Sequence, residues 1–143
     1  MKKLVMAIVV LAASASMLFA ASDVTPVKIS LVPRLGIPAA MTVHGLDLGI
    51  LGSKPKEVQG LQLGGFYAAT SKTMVGIQSG FVASATKGTG IQMGFYNTAE
   101  DMTGAQFGFI NVAERLIGIQ IGLVNIIKKN GALPFMVFVN AGF

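Results

Sequence analysis

The 143-residue chain has no cysteine, no tryptophan and a single histidine. Without cysteine there is no disulfide framework, no thiol nucleophile, no thiolate-ligated zinc and no lipoprotein anchor. Charge is scarce as well. Asp, Glu, Lys and Arg make up 12% of the chain, against about 25% in an ordinary soluble domain. That scarcity excludes disorder, which needs polar and charged composition. Hydrophobic residues account for 52% and mean hydropathy is +0.68, so a large apolar surface must be accommodated. Glycine is in excess, at 18 residues.

The N-terminus takes up part of the apolar excess. Lys2 and Lys3 precede an unbroken apolar run, Leu4 to Ala20, followed by small residues before Asp23. This is the layout of a secretory signal peptide, expected to span 1–22 and to be cut after Ala20 or Ser22. From Asp23 onward the chain carries nine Lys/Arg against six Asp/Glu, a difference of +3. That is too mild to suggest nucleic-acid binding. The expectation is an exported protein.

The remainder is a repeat. Gly-x-x-x-Gly units start at Gly45, Gly60, Gly76, Gly90, Gly104 and Gly118, spaced 15, 16, 14, 14 and 14 residues apart. They occupy 45–49, 60–64, 76–80, 90–94, 104–108 and 118–122. The central residues are Asp47, Gln62, Gln78, Gln92, Gln106 and Gln120. Each unit alternates with period 2, the mark of a strand. One face carries Gly104, Gln106 and Gly108; the other carries Ala105, Phe107 and Phe109. Paired glycines argue against helix, because each costs about 1 kcal/mol relative to Ala.

Charged, turn-like segments separate the units, ending with Asn130-Gly131, a tight-turn dipeptide. Flanking strands are expected at Val27 to Val32 and Pro134 to Phe143. The eight expected strands are 27–32, 42–51, 58–68, 74–82, 89–97, 103–111, 116–126 and 134–143. Of Asp, Glu, Lys and Arg, only Lys28 and Asp47 fall within them. A bulky face pointing into lipid explains why the charges sit in turns, and about 9–11 residues suffice to cross. A bilayer requires closed edges. The expected fold is therefore all-β: an eight-stranded antiparallel meander closed into a small outer-membrane β-barrel, with residues 23–143 as one domain.

Phe135, Val137, Val139, Ala141 and Phe143 alternate to the end of the chain. They resemble the C-terminal insertion signal of bacterial outer-membrane barrels, which implies the barrel-insertion machinery and outer-membrane lipid as partners. The repeat resembles a family of bacterial surface repeat proteins with runs such as V-x-G-L-Q-L-G-x-x-N. The match covers residues 43–126 and is clearest at Val58 to Gly64 and Gly118 to Asn125; the first copy departs with His44 and Asp47. That resemblance implies surface or outer-membrane residence and carries no activity. Gln92 to Asn97, Gln106 to Asn111 and Gln120 to Asn125 also resemble the Q-x-G-x-x-N repeats of curli-type amyloid subunits, which implies stacked amide ladders in a self-assembling β-solenoid. A 14-residue period has room for one strand and a turn, whereas such a rung needs two strands, so the barrel takes precedence.

Inside the barrel, Asp47, Gln62, Gln78, Gln92, Gln106 and Gln120 are expected to form a structural ring, with Lys28 and Asn140 as further members and Lys28 able to pair with Asp47. His44 stands alone. No catalytic, metal-binding or cofactor-binding set presents itself. The expected role is structural or surface-associated and non-enzymatic. The alternative is a secreted or surface-attached, curli-like, self-assembling repeat protein.

Overall fold

A computed structural model describes residues 23–143 apart from 34 and 38. The signal-peptide expectation lies outside the described residues. The described elements are all β: β1 (Val24–Val32), β2 (Leu35–Ile37), β3 (Thr42–Gly49), β4 (Gly52–Ser53), β5 (Glu57–Gly64), β6 (Tyr67–Ser79), β7 (Val82–Ile127) and β8 (Phe135–Gly142).

The pairing overturns the barrel. From β1 through β3, β5 and β6 to β7, every successive pair is parallel. Antiparallel pairs occur at the two ends, β2 on β1 and β8 on β7. The chain is a β-solenoid, not a closed antiparallel meander. Each repeat stacks on the one before it with like residues aligned: Gly45 on Gly60, Leu61 on Ile77, Gln78 on Gln92.

Each rung has two arms. The first arm carries the Gly-x-x-x-Gly unit. The second follows after a bend, as at 52–53, 67–70 and 82–85, and these arms also pair in parallel. The long run of β7 contains the remaining rungs at 14-residue intervals; Lys128 N–H, for example, donates to the Ala113 carbonyl at 3.0 Å. Expected strands such as 89–97 therefore cover parts of both arms. One repeat therefore holds two short strands and not one long one. The bends are tight enough for two short arms to fit into 14 residues.

The phase of burial records the bends. Met102 and Gln106 are buried on even positions, Asn111 and Ala113 on odd ones, Leu116 and Gln120 on even ones again. Strict alternation would keep one parity. Each change of parity is a corner, and there are two per rung. One corner carries Phe66, Phe81, Phe95 and Phe109; the other carries the charged segments.

The interior is narrow. Met74, Met102 and Leu116 face Ala85, Ala99, Ala113 and Ile127 across it, all buried. Gly88 occupies the same column between Met74 and Met102. A Cβ there would lie 2.5 Å from Met102 Sδ, so the flexible thioether fills the space that Gly88 leaves.

The first glycine of each unit is required by backbone geometry. Gly104 has φ +130°, and an added Cβ would sit 2.0 Å from the Gly90 carbonyl oxygen of the rung below. L side chains avoid this region, and the oxygen cannot withdraw without breaking the stack. Gly104→Ala is expected to cost about 3 kcal/mol or more, read from the urea midpoint. Thr103→Ala, at the exposed neighbour, should stay within about 0.5 kcal/mol. Equal effects would contradict the tight approach of the rungs.

Candidate functional site

The solenoid places the sequence-predicted interior residues in a column along its axis, not in a ring. Lys28 is in register with Asp47, Asp47 with Gln62, Gln62 with Gln78, and Gln78 with Gln92. At the far end Gln120 is in register with Asn140. All are buried.

The amides form one continuous ladder. Gln120 Nε2 donates to Gln106 Oε1 at 2.7 Å, Gln106 to Gln92 at 2.6 Å, Gln92 to Gln78 at 2.8 Å and Gln78 to Gln62 at 2.7 Å. Gln62 Nε2 then donates to Asp47 Oδ2 at 2.9 Å. Second-arm groups occupy further sites. Gln78 Nε2 donates to the Ser84 carbonyl and Gln62 Nε2 to that of Ala69, both at 3.0 Å. Thr70 Oγ1 donates to Gln62 Oε1 at 3.0 Å.

Asp47 stands where the ladder ends. A carboxylate only accepts, so it closes a chain of donors without leaving a donor unpaired. Its second oxygen accepts from Ser53 Oγ at 2.8 Å. Burial raises the Asp47 pKa above its ordinary 3.8, opposed by the hydrogen bonds from Ser53 and Gln62 and by the charge of Lys28. Burial likewise lowers the pKa of Lys28, opposed by Asp47. The expected direct pair is not formed. Lys28 Nζ donates to the Ala40 carbonyl at 2.8 Å, and the ion pairs among the described residues are those of Arg115 with Asp101 and of Lys128 and Lys129 with Glu114. Asn140 Nδ2 donates to the Leu133 carbonyl at 2.9 Å, not into the ladder.

A second ladder, which the curli-type resemblance implies and the barrel does not, is formed by asparagines. Asn97 Nδ2 donates to Asn111 Oδ1 at 2.7 Å, and Asn111 Nδ2 to Asn125 Oδ1 at 2.9 Å. Its direction is opposite to that of the Gln ladder. Each ladder leaves one buried acceptor open at its own end, Gln120 Oε1 and Asn97 Oδ1. The signal was present in the Q-x-G-x-x-N windows. On a barrel strand, Asn111 and Asn125 share parity with Phe107 and Ile121 and would have faced lipid.

Asn130 also has a function beyond its turn. Its Oδ1 accepts from Leu116 N–H at 2.8 Å, and its Nδ2 donates to the Leu116 carbonyl at 2.7 Å and the Phe143 carbonyl at 2.9 Å. The side chain thus stands in for a further strand at the end of the stack.

Outside, the first arms present a charge-free apolar face. The rows run Leu46, Leu61, Ile77, Ile91, Ala105, Ile119 and Leu48, Leu63, Ser79, Met93, Phe107, Ile121. Val27 and Ile29 on β1 extend it at one end, in register with Leu46 and Leu48. Val139 and Ala141 on β8 extend it at the other, in register with Ile121 and Ile119. At the corner, Phe66, Phe81, Phe95 and Phe109 stack with ring centroids 5.1, 5.0 and 4.9 Å apart, which is the strand spacing. The proposed insertion signal is split between these features. Val139 and Ala141 lie on this face, Phe135 is in register with Ile126 of the second arm, Val137 is exposed, and Phe143 is 87% exposed.

At the opposite corner Arg115 forms a forked pair with Asp101, with Nη2 donating at 2.9 Å. Lys129 bonds Glu114 at 3.0 Å. These contacts hold Asp101 and Glu114 below the usual carboxylate range. They are exposed and act mainly as solvated, matched charge. A cavity of about 210 Å³ lies beside this corner, lined by residues including Thr98, Glu100, Glu114 and Lys128. Among the described residues, no group of three His, Asp or Glu comes together.

No family model, curated protein or solved structure matches this chain. What fold and core define is a class: an end-capped β-solenoid with glutamine and asparagine ladders.

Gln92→Leu would leave Gln106 Nε2 and Gln78 Oε1 without each other's intermediary. Two buried unsatisfied groups at about 1–3 kcal/mol each give an expected loss of about 2–6 kcal/mol in denaturant unfolding. Unchanged stability would show that the ladder is incidental. The Asp47 titration supplies a pH test. The folded chain holds this proton to higher pH than the unfolded one, so the group's contribution to stability is greatest below 3.8 and falls as pH rises to the elevated folded value. Lys28 acts oppositely: stability rises with pH from its lowered folded value to 10.5. Asp47→Asn should flatten the acidic limb of a melting-temperature series; an unaltered limb would mean that Asp47 is not the group responsible.

Proposed function

We propose that this chain is an exported, surface-associated, non-enzymatic structural protein: a rigid β-solenoid that displays an apolar face. The observation that carries the reading is the continuous, charge-free apolar face set apart from a corner that holds the charges. Natural monomers rarely expose so much contiguous apolar surface unless it contacts something. The interior supports the same reading, since its buried amides bond to one another and to adjacent backbone. The N-terminal run from Lys2 to Ser22 supports export.

Curli-like stacking end to end is disfavoured by the caps. β2 lies antiparallel on β1, and β8 lies antiparallel on the last rung. At each end an antiparallel strand, and not a further in-register glutamine rung, lies next to the stack, so the amide ladder is not continued there.

Expression of the full chain in a Gram-negative host, followed by fractionation and N-terminal sequencing, tests the reading. The expected result is a product cut after Ala20 or Ser22 in the outer-membrane or surface fraction. An uncut product in the cytoplasm would defeat it.

A further inference from the structure

We infer that the first-arm face is a self-association surface, and that two copies of this chain pack through it face to face. The inference goes beyond the assignment of location.

From β1 to β8 the face is eight strands deep and about five residues wide. At about 4.8 Å per strand and 3.3 Å per residue, it measures about 38 Å by 17 Å, or about 650 Å². Two such faces in contact bury about 1,300 Å², within the range of about 1,200–2,000 Å² for stable protein interfaces. It also exceeds the apolar patches of about 300–600 Å² that typical monomers carry.

Shape points to the same occupant. In-register parallel stacking makes straight rows, with Ile77, Ile91 and Ile119 aligned in one and Met93, Phe107 and Ile121 in the next. A flat sheet face is complementary to another flat sheet face, and sheets pack about 10 Å apart with interdigitated side chains. A two-fold axis in that plane makes the contact isologous and closed, so a pair forms and not a fibre.

Charge permits this pairing and offers nothing specific to an anionic lipid surface. The face itself has no basic residue. Lys56, Lys72, Lys87, Arg115 and Lys129 lie at the charged corner, with Glu114 and Asp101 pairing two of them. They would form the polar rim of a two-copy interface. The net +3 of residues 23–143 leaves little repulsion between copies.

The test uses the purified exported chain. Sedimentation equilibrium should give twice the mass of one chain. Phe107→Lys, which puts a charge in the middle of the face, should weaken association about 100-fold or more, whereas Thr98→Lys on the second arm should not weaken it. Circular dichroism on each variant checks that the solenoid is intact. Because the chain has no cysteine, single substitutions provide a second measurement that does not need a folded charge variant. Ile77→Cys, Met93→Cys, Phe107→Cys and Ile119→Cys are oxidised in parallel. Disulfide-linked pairs are expected from one or more of these and not from Thr98→Cys.

A single-chain mass at micromolar concentration, with no crosslink from any face position, would overturn the inference. So would a single chain that floats with vesicles of phosphatidylethanolamine and phosphatidylglycerol, which would assign the face to lipid. Either result leaves the fractionation outcome untouched.

Discussion

A glutamine amide buried in this core finds its partners in the rungs above and below and in the arm across from it. Each rung therefore fixes the register of the next. If a rung slipped by one residue, glutamine would turn outward and a leucine or isoleucine would turn into the amide column. The cost would be an unpaired donor on one side and an unpaired acceptor on the other. Hydrophobic packing alone does not distinguish register so sharply, because Met74, Met102 and Leu116 are interchangeable in kind. The glycine column adds a second constraint, since carbonyl oxygens close over it where no side chain fits. The ladders run in opposite directions, so their aligned amide dipoles oppose each other across the interior.

The same stacking that satisfies the inside produces the outside. Parallel in-register repeats turn every sequence preference into a row. Hydrophobic positions become a flat apolar face, phenylalanines become a stacked corner, and charged positions become a ridge. The segregation of charge into one corner is a consequence of a period near 14. It would appear in any fold that wound the chain once per repeat.

Much of this was legible from the residues. The strand content, the repeat boundaries and the inward polar set from Lys28 to Asn140 all follow from period-2 alternation and the fixed spacing of Gly-x-x-x-Gly. Strand direction was not legible in the same way. A 14-residue repeat supports either one long antiparallel strand and a turn, or two short parallel arms and two corners. The deciding signal lay in parity. Gln106 and Asn111 are both buried but differ in parity, so the chain must turn between them. Reading Ala105, Phe107 and Phe109 as a lipid face placed Asn111 next on that face, where a bilayer offers its amide no partner. The interior column also could not be distinguished from a ring, because both put the same residues side by side. The Asn130 clamp was hidden for a different reason. Asn-Gly is a common turn, and the bonds to Leu116 and Phe143 exist only once the last rung is folded.

The capped stack has a property of measurement. Interior rungs are near copies of one another, whereas the ends, with Lys28 and Asp47 at one and Asn130 and β8 at the other, are unique. Material can enter or leave the middle only in whole turns without breaking the amide column. The molecule's length is thus quantised in steps of about 4.8 Å. The number of Gly-x-x-x-Gly units in a gene for such a chain reads directly as a distance, in the way that marks on a ruler do.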